Sequence, residues 1–135
     1  MTPDRTPAEL ARAWRDALVD RDAEAFAGLF AEDALFVDVE HRTGDLASVR
    51  PITGRVAIAE LTRGWLAETP EFAYEVAQVL ADGDSAAVRW RYRVRGASSA
   101  LDLDGVSWLR CAHGEILEAR VYFDSLGLYR GLGRV

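Results

Sequence analysis

The chain is expected to fold as one α+β domain, with helices covering one face of an antiparallel sheet, and three features carry that expectation. The first half sets polar capping residues ahead of apolar residues three and four apart, which is helical spacing. After Pro70 the pattern changes to a period of two, in four runs joined mostly by tight turns, as in a β-meander. The clearest run is 87–95, AVRWRYRVR, where Val88, Trp90, Tyr92 and Val94 alternate strictly with Arg89, Arg91, Arg93 and Arg95. Such a strand has one apolar face and one charged face.

Each element has a local reason. Thr6-Pro7-Ala8-Glu9 is a capping box with proline at the first helical position, and it starts a helix to about Leu18 with Leu10, Trp14 and Leu18 on one stripe. Asp22 caps a shorter second helix carrying Phe26, Leu29 and Phe30 inward. Residues 34–39 read as a short strand, with Phe36 and Asp38 on one face and Leu35, Val37 and Val39 on the other. A polar loop over 40–51 leads to Thr53-Gly54, which introduces a third helix over 55–66 with Ile58, Leu61 and Trp65 as its apolar stripe. The four runs are 72–81, 87–95, 101–111 and 116–124, and a short apolar segment, 126–132, follows.

Composition bounds the rest. At 135 residues, half of them hydrophobic and 28% charged, the chain reads as a single soluble globular domain over 1–135 with no staple needed. The net charge of -6 opposes non-specific binding to nucleic acid or to anionic membranes, and no stretch is long enough to span a bilayer. One cysteine, Cys111, and no secretory leader point to the cytoplasm. The basic residues are all arginine, but the acidic partners Glu75, Glu118 and Asp104 make a cross-strand charge lattice the expected role of the arginine face.

The order of elements, with Trp14-Arg15-Asp16-Ala17-Leu18, Leu29-Phe30-Ala31-Glu32-Asp33-Ala34, Thr53-Gly54-Arg55, Ala81-Asp82-Gly83-Asp84, Gly105-Val106-Ser107, Gly114-Glu115-Ile116 and Tyr122-Phe123-Asp124, resembles the SnoaL-like branch of the nuclear-transport-factor-2-like superfamily. The resemblance implies a cone, a cystatin-like α+β barrel in which a curved antiparallel sheet wraps a long N-terminal helix and two shorter helices around an apolar pocket. Its relatives include polyketide cyclases, ketosteroid isomerases and limonene epoxide hydrolases, and fold alone does not choose among them.

Within that frame Asp38 is the leading catalytic candidate. Parity sets it with Phe36 toward the pocket, where aromatic neighbours push a carboxylate toward general-base behaviour, and it falls where the isomerases it resembles keep their aspartate base. Pairing with an arginine or with loop amides is the structural alternative. The isomerases' oxyanion-binding tyrosine and acid fall on Trp14 and Ser107, and the epoxide hydrolases' arginine and aspartates fall on Arg89, Arg91 and Val121, so both sets are altered. Glu40, His41 and Asp124 are second-rank acid/base candidates, Asp124 with a structural capping role as its alternative. Cys111 is expected to be a buried, inert thiol and His113 a turn residue, and no spacing suggests a metal site or a cofactor.

The expected pocket wall is Trp14, Phe26, Phe36, Leu61, Trp65, Trp90, Tyr92, Ser107, Leu109, Val121 and Phe123, each of which could equally be plain core. Tyr92 would add a hydrogen bond to a ligand. The expectation is therefore a cofactor-independent protein acting on a hydrophobic carbonyl-containing ligand by proton transfer through Asp38. The alternative is a non-catalytic binding or accessory protein of the same fold. Either would be a homodimer through the outward sheet face, where Trp108 and Tyr122 stand among the arginines.

Overall fold

The computed structural model describes residues 4–38, 51–95 and 100–123. Helix α1 (Pro7–Val19) begins as its sequence dictates: the Thr6 amide donates to Glu9 Oε1 at 3.0 Å and the Glu9 amide donates to Thr6 Oγ1 at 3.2 Å. A cap of this kind contributes about 0.5–2 kcal/mol. Arg21 turns the chain with a φ of 57°, and α2 (Ala23–Ala27) starts on Asp22, whose Oδ1 accepts from the Ala25 amide at 2.9 Å. Next come β1 (Phe30–Asp38), β2 (Ile52–Thr53) and α3 (Arg55–Glu68). The meander follows as β3 (Ala73–Asp82), β4 (Ser85–Arg95), β5 (Ala100–Ala112) and β6 (Glu115–Phe123).

The six strands form one curved, open sheet in the order β2-β1-β6-β5-β4-β3, and the three helices make the architecture α+β. Two features lay beyond local pattern. β1 begins at Phe30 rather than near Ala34 and runs parallel to β6, with Phe30 opposite Ile116 and Asp38 opposite Val121. Leu29 and Phe30 have helical spacing with Phe26, but Gly28 caps α2 and the Leu29 carbonyl takes a bond from the Ile116 amide at 2.8 Å. Tertiary pairing thus overrides local periodicity. The two-residue β2, antiparallel to β1, has no signature of its own, and α3, at 14 residues, is as long as the 13-residue α1.

Leu10 of α1, Phe30 of β1, Ile58 of α3, Val88 of β4, Leu109 of β5 and Ile116 of β6 are fully buried and join the two layers. Arg55 fastens the corner where they meet: its Nε and Nη2 donate to the Phe30 carbonyl at 2.9 and 2.8 Å, and Nη2 also reaches Glu115 Oε2 at 2.9 Å.

On the outer face, Arg91 forms a two-pronged pair with Asp102 at 2.9 and 2.8 Å, Arg93 lies 3.6 Å from Glu75, and Arg89 lies 4.0 Å from Asp104. Glu118 does not join the β4 arginines. Strand β6 lies beside β5 and β1, so Glu118 pairs instead with Arg120 at 2.6 Å and Arg110 at 3.6 Å. Glu40, His41, Asp124 and the 126–132 segment lie outside the described residues.

Candidate functional site

Between the helices and the inner face of the sheet lies a cavity of about 580 Å³. Its wall is built from alternate residues of strands and from one face of each helix. Trp14 and Leu18 come from α1, Phe26 from α2, Leu61 and Trp65 from α3, and Phe36 and Asp38 from β1. The meander adds Tyr74 from β3, Trp90 and Tyr92 from β4, Leu103 and Ser107 from β5, and Val121 and Phe123 from β6. Leu109, the remaining residue assigned to the wall from sequence, is fully buried one inward position beyond Ser107 and belongs to the core. Glu60 and Glu68, both exposed on α3, also border the cavity.

The aromatic rings pack on one another in two groups. Trp14 meets Phe26 edge-on at 4.7 Å and stacks at 6.3 Å with Phe36. Trp65, Phe72 and Tyr92 form a second group with centroids 4.9–5.6 Å apart, as Trp65–Phe72 and Trp65–Tyr92 show. Arg21 covers Phe72 at 5.3 Å and donates to the Thr69 and Leu66 carbonyls, so the last turn of α3 is held against the helical hairpin.

Each of the three cavity tryptophans donates its indole N–H to a hydroxyl of the same wall. Trp14 Nε1 reaches Tyr74 Oη at 3.0 Å, Trp65 Nε1 reaches Tyr92 Oη at 3.2 Å, and Trp90 Nε1 reaches Ser107 Oγ at 2.9 Å. Trp90 can lie flat along β5 because its cross-strand partner is Gly105: a Cβ there would come within 2.3 Å of the indole. Burial pushes the Tyr74 phenol well above its ordinary range, and it pushes Tyr92 up as well, against the hydrogen bonds with Thr69 and Trp65. Both are neutral hydroxyls at any working pH.

Leu18, Tyr74 and Leu103 are wall residues beyond those expected from the sequence, and Tyr74 is the polar one among them. The alternation Phe72, Tyr74, Val76 was its signal, but the register slips between Val76 and Gln78, which puts Val79 inward and blurs the parity of the whole run.

The arrangement departs from both enzyme types weighed above. Trp14 and Ser107, at the positions of the isomerases' oxyanion pair, are hydrogen-bonded to Tyr74 and Trp90, while Arg89 and Arg91 point outward into ion pairs and Val121 is an apolar wall residue. Asp38 is a half-buried carboxylate on the sheet side of the cavity, two residues from the buried Phe36. Cys111 is buried and its thiol is pushed up to about 11 by burial, which leaves it inert, and His113 is exposed in the β5–β6 turn with a φ of 52°. Among the described residues no group of three or more His, Cys, Asp or Glu side chains is placed to hold a metal, and no helix is long and apolar enough to cross a membrane.

Solved structures share this architecture. An NTF2-like protein of unknown function from Mesorhizobium loti is 27% identical with a TM-score of 0.71, covering 93% of this chain and 98% of its own. A protein described as a SnoaL-like polyketide cyclase, from Shewanella denitrificans, is 18% identical with a TM-score of 0.75, covering 93% and 96%. An LEH-like epoxide hydrolase from M. tuberculosis is 20% identical with a TM-score of 0.69, covering 94% and 92%. No curated protein matches in sequence. The sequence profile of the SnoaL-like domain matches residues 11–119, and with that match over most of its length the chain belongs to the SnoaL-like domain family.

Proposed function

We propose that the cavity binds a hydrophobic carbonyl-containing small molecule and that Asp38 transfers a proton to and from the carbon next to that carbonyl. The observation that carries this reading is the position of Asp38, a carboxylate on the strand side of a wall otherwise made mainly of aromatic and aliphatic side chains. Rings hold a flat ligand and exclude water, so one acid/base group and good positioning are enough for enolisation. The carboxylate takes the α-proton, the electron pair moves to the carbonyl oxygen as an enolate, and the protonated acid returns the proton at the same or a vinylogous carbon.

Deuterium exchange into 2-tetralone, followed by NMR in D2O, tests the step. The wild-type chain is expected to accelerate exchange, and Asp38→Asn to lower the acceleration at least a hundredfold without weakening binding. Exchange retained in Asp38→Asn would remove Asp38 from the chemistry. Binding with no exchange in the wild type would leave the non-catalytic reading.

The same reading includes a homodimer through the outer sheet face and a cytoplasmic location, the latter on the strength of a single buried cysteine. Tyr122, 50% exposed, stands opposite Val106 in the β5–β6 register, with Trp108 next on that face and paired charges on either side. Light scattering at micromolar concentration is expected to give twice the chain mass, and a monomer would refute the dimer.

A further inference from the structure

The hydrogen-bond polarity of the cavity carries a statement about its ligand, resting on the reading of the cavity as a small-molecule pocket. Three indole N–H groups surround it, and all three donate to hydroxyls of the wall. A hydroxyl that accepts such a bond keeps its own proton to donate, and is made a better donor by the bond it accepts. Tyr92 stands apart, in the other aromatic group with Trp65 and Phe72. For the protons of Tyr74 and Ser107, no acceptor occurs among the described residues.

These two hydroxyls belong to one surface. The rings of Tyr74 and Trp90 stack at 5.7 Å with an interplanar angle of 27°, and Trp90 in turn reaches Ser107 across the strand pair. Ser107 is fully buried, whereas Tyr74 is partly buried and borders the cavity, so a flat molecule lying against that panel meets the Tyr74 hydroxyl. A donor covered by a ligand without an acceptor is costly, so an oxygen acceptor on the ligand satisfies a group that a hydrocarbon of the same shape would leave unmet.

The geometry points to Tyr74, anchored by Trp14, as a hydrogen-bond donor that selects a flat, acceptor-bearing ligand and as the principal specificity-determining residue. This differs from a pocket that sorts ligands by shape alone. It also gives the carbonyl oxygen of the proposed substrate a partner opposite in character to Asp38.

The test compares 9-fluorenone with fluorene, which have nearly the same shape but differ by one carbonyl and have no reactive α-proton. Dissociation constants are measured by quenching of tryptophan fluorescence, with the melting temperature of every variant recorded. The wild type is expected to bind fluorenone threefold to tenfold more tightly than fluorene, the range a neutral hydrogen bond supplies. Tyr74→Phe is expected to bring that ratio below twofold. Trp14→Phe, which keeps the Tyr74 hydroxyl, is expected to keep the ratio above twofold.

Because both ligands are measured on the same variant, general damage to the fold cancels in the ratio. A wild-type ratio near one overturns the donor inference and leaves the Asp38 reading to its own exchange assay. A ratio that survives in Tyr74→Phe overturns the role of Tyr74. Failure of both probes to bind the folded wild type overturns the inference together with the pocket reading.

Discussion

Strand β4 carries two kinds of pairing, one on each face, and water treats them differently. Outward, Arg91 and Asp102 make the best geometry of the ladder, yet their side chains are 47% and 53% exposed. Solvent can replace either partner, so such a pair contributes about 0.2–1 kcal/mol. Inward, Trp90 is 6% exposed and its indole donates to a Ser107 that is 0% exposed. Nothing replaces a lost partner there, and an unmet buried donor costs about 1–3 kcal/mol. The outer face can exchange residues cheaply, whereas the inner face fixes ring positions and therefore the shape of the cavity.

Breaking the inner face should give the largest effects. Trp90→Ala is expected to lower stability by about 3–5 kcal/mol in urea unfolding, because it removes a ring that touches Tyr74 and Phe123. Gly105→Ala should cost about 1–3 kcal/mol, since the new methyl drives into the indole and must displace it toward the cavity. A ligand that stabilises the wild type should raise the melting temperature of Gly105→Ala less, and an unchanged ligand shift would mean that Trp90 does not set the cavity's shape.

Perturbing the outer face should be mild. A double-mutant cycle on Arg91 and Asp102 is expected to give a coupling below about 1 kcal/mol that shrinks further in high salt. A coupling as large as the Trp90 loss would erase the contrast between the faces. The smallest effect is in pH. The Glu118 carboxyl is held below its ordinary value, chiefly by the hydrogen bond from Arg120, so its stabilising contribution is present above the unfolded-state value near 4.5 and fades as pH falls through the lower folded value. Glu118→Gln should flatten that part of the acid side of the stability profile, as read by denaturant titration between pH 3 and about 6.

How much of this was legible in the sequence depends on whether the cause was local. The caps at Thr6 and Asp22 and the two-faced pattern of β4 are written in neighbouring residues, and the structure shows them at those places. The facing of Phe36 and Asp38 toward one cavity follows from strand parity in the same way. What escaped depends on partners far along the chain. The early start of β1 is decided by Ile116, the partners of Glu118 by strand order, and the place of Tyr74 in the wall by a register slip that only β4 reveals. The three tryptophan–hydroxyl bonds join residues on different elements, so no spacing rule announces them.

The parallel seam between β1 and β6 also bears on how the cavity comes into being. Strands β3 to β6 pair with their sequence neighbours and close only short loops, whereas the seam joins Phe30 to Ile116 and must first gather the long stretch of chain between them. Asp38 and Phe36 arrive with that seam, so a chain whose meander has already formed still has no complete wall. The binding site is thus completed by the longest-range strand pairing of the sheet. A ligand that recognises the finished wall therefore acts mainly by delaying the undocking of β1, and it has little to hold before that strand is in place.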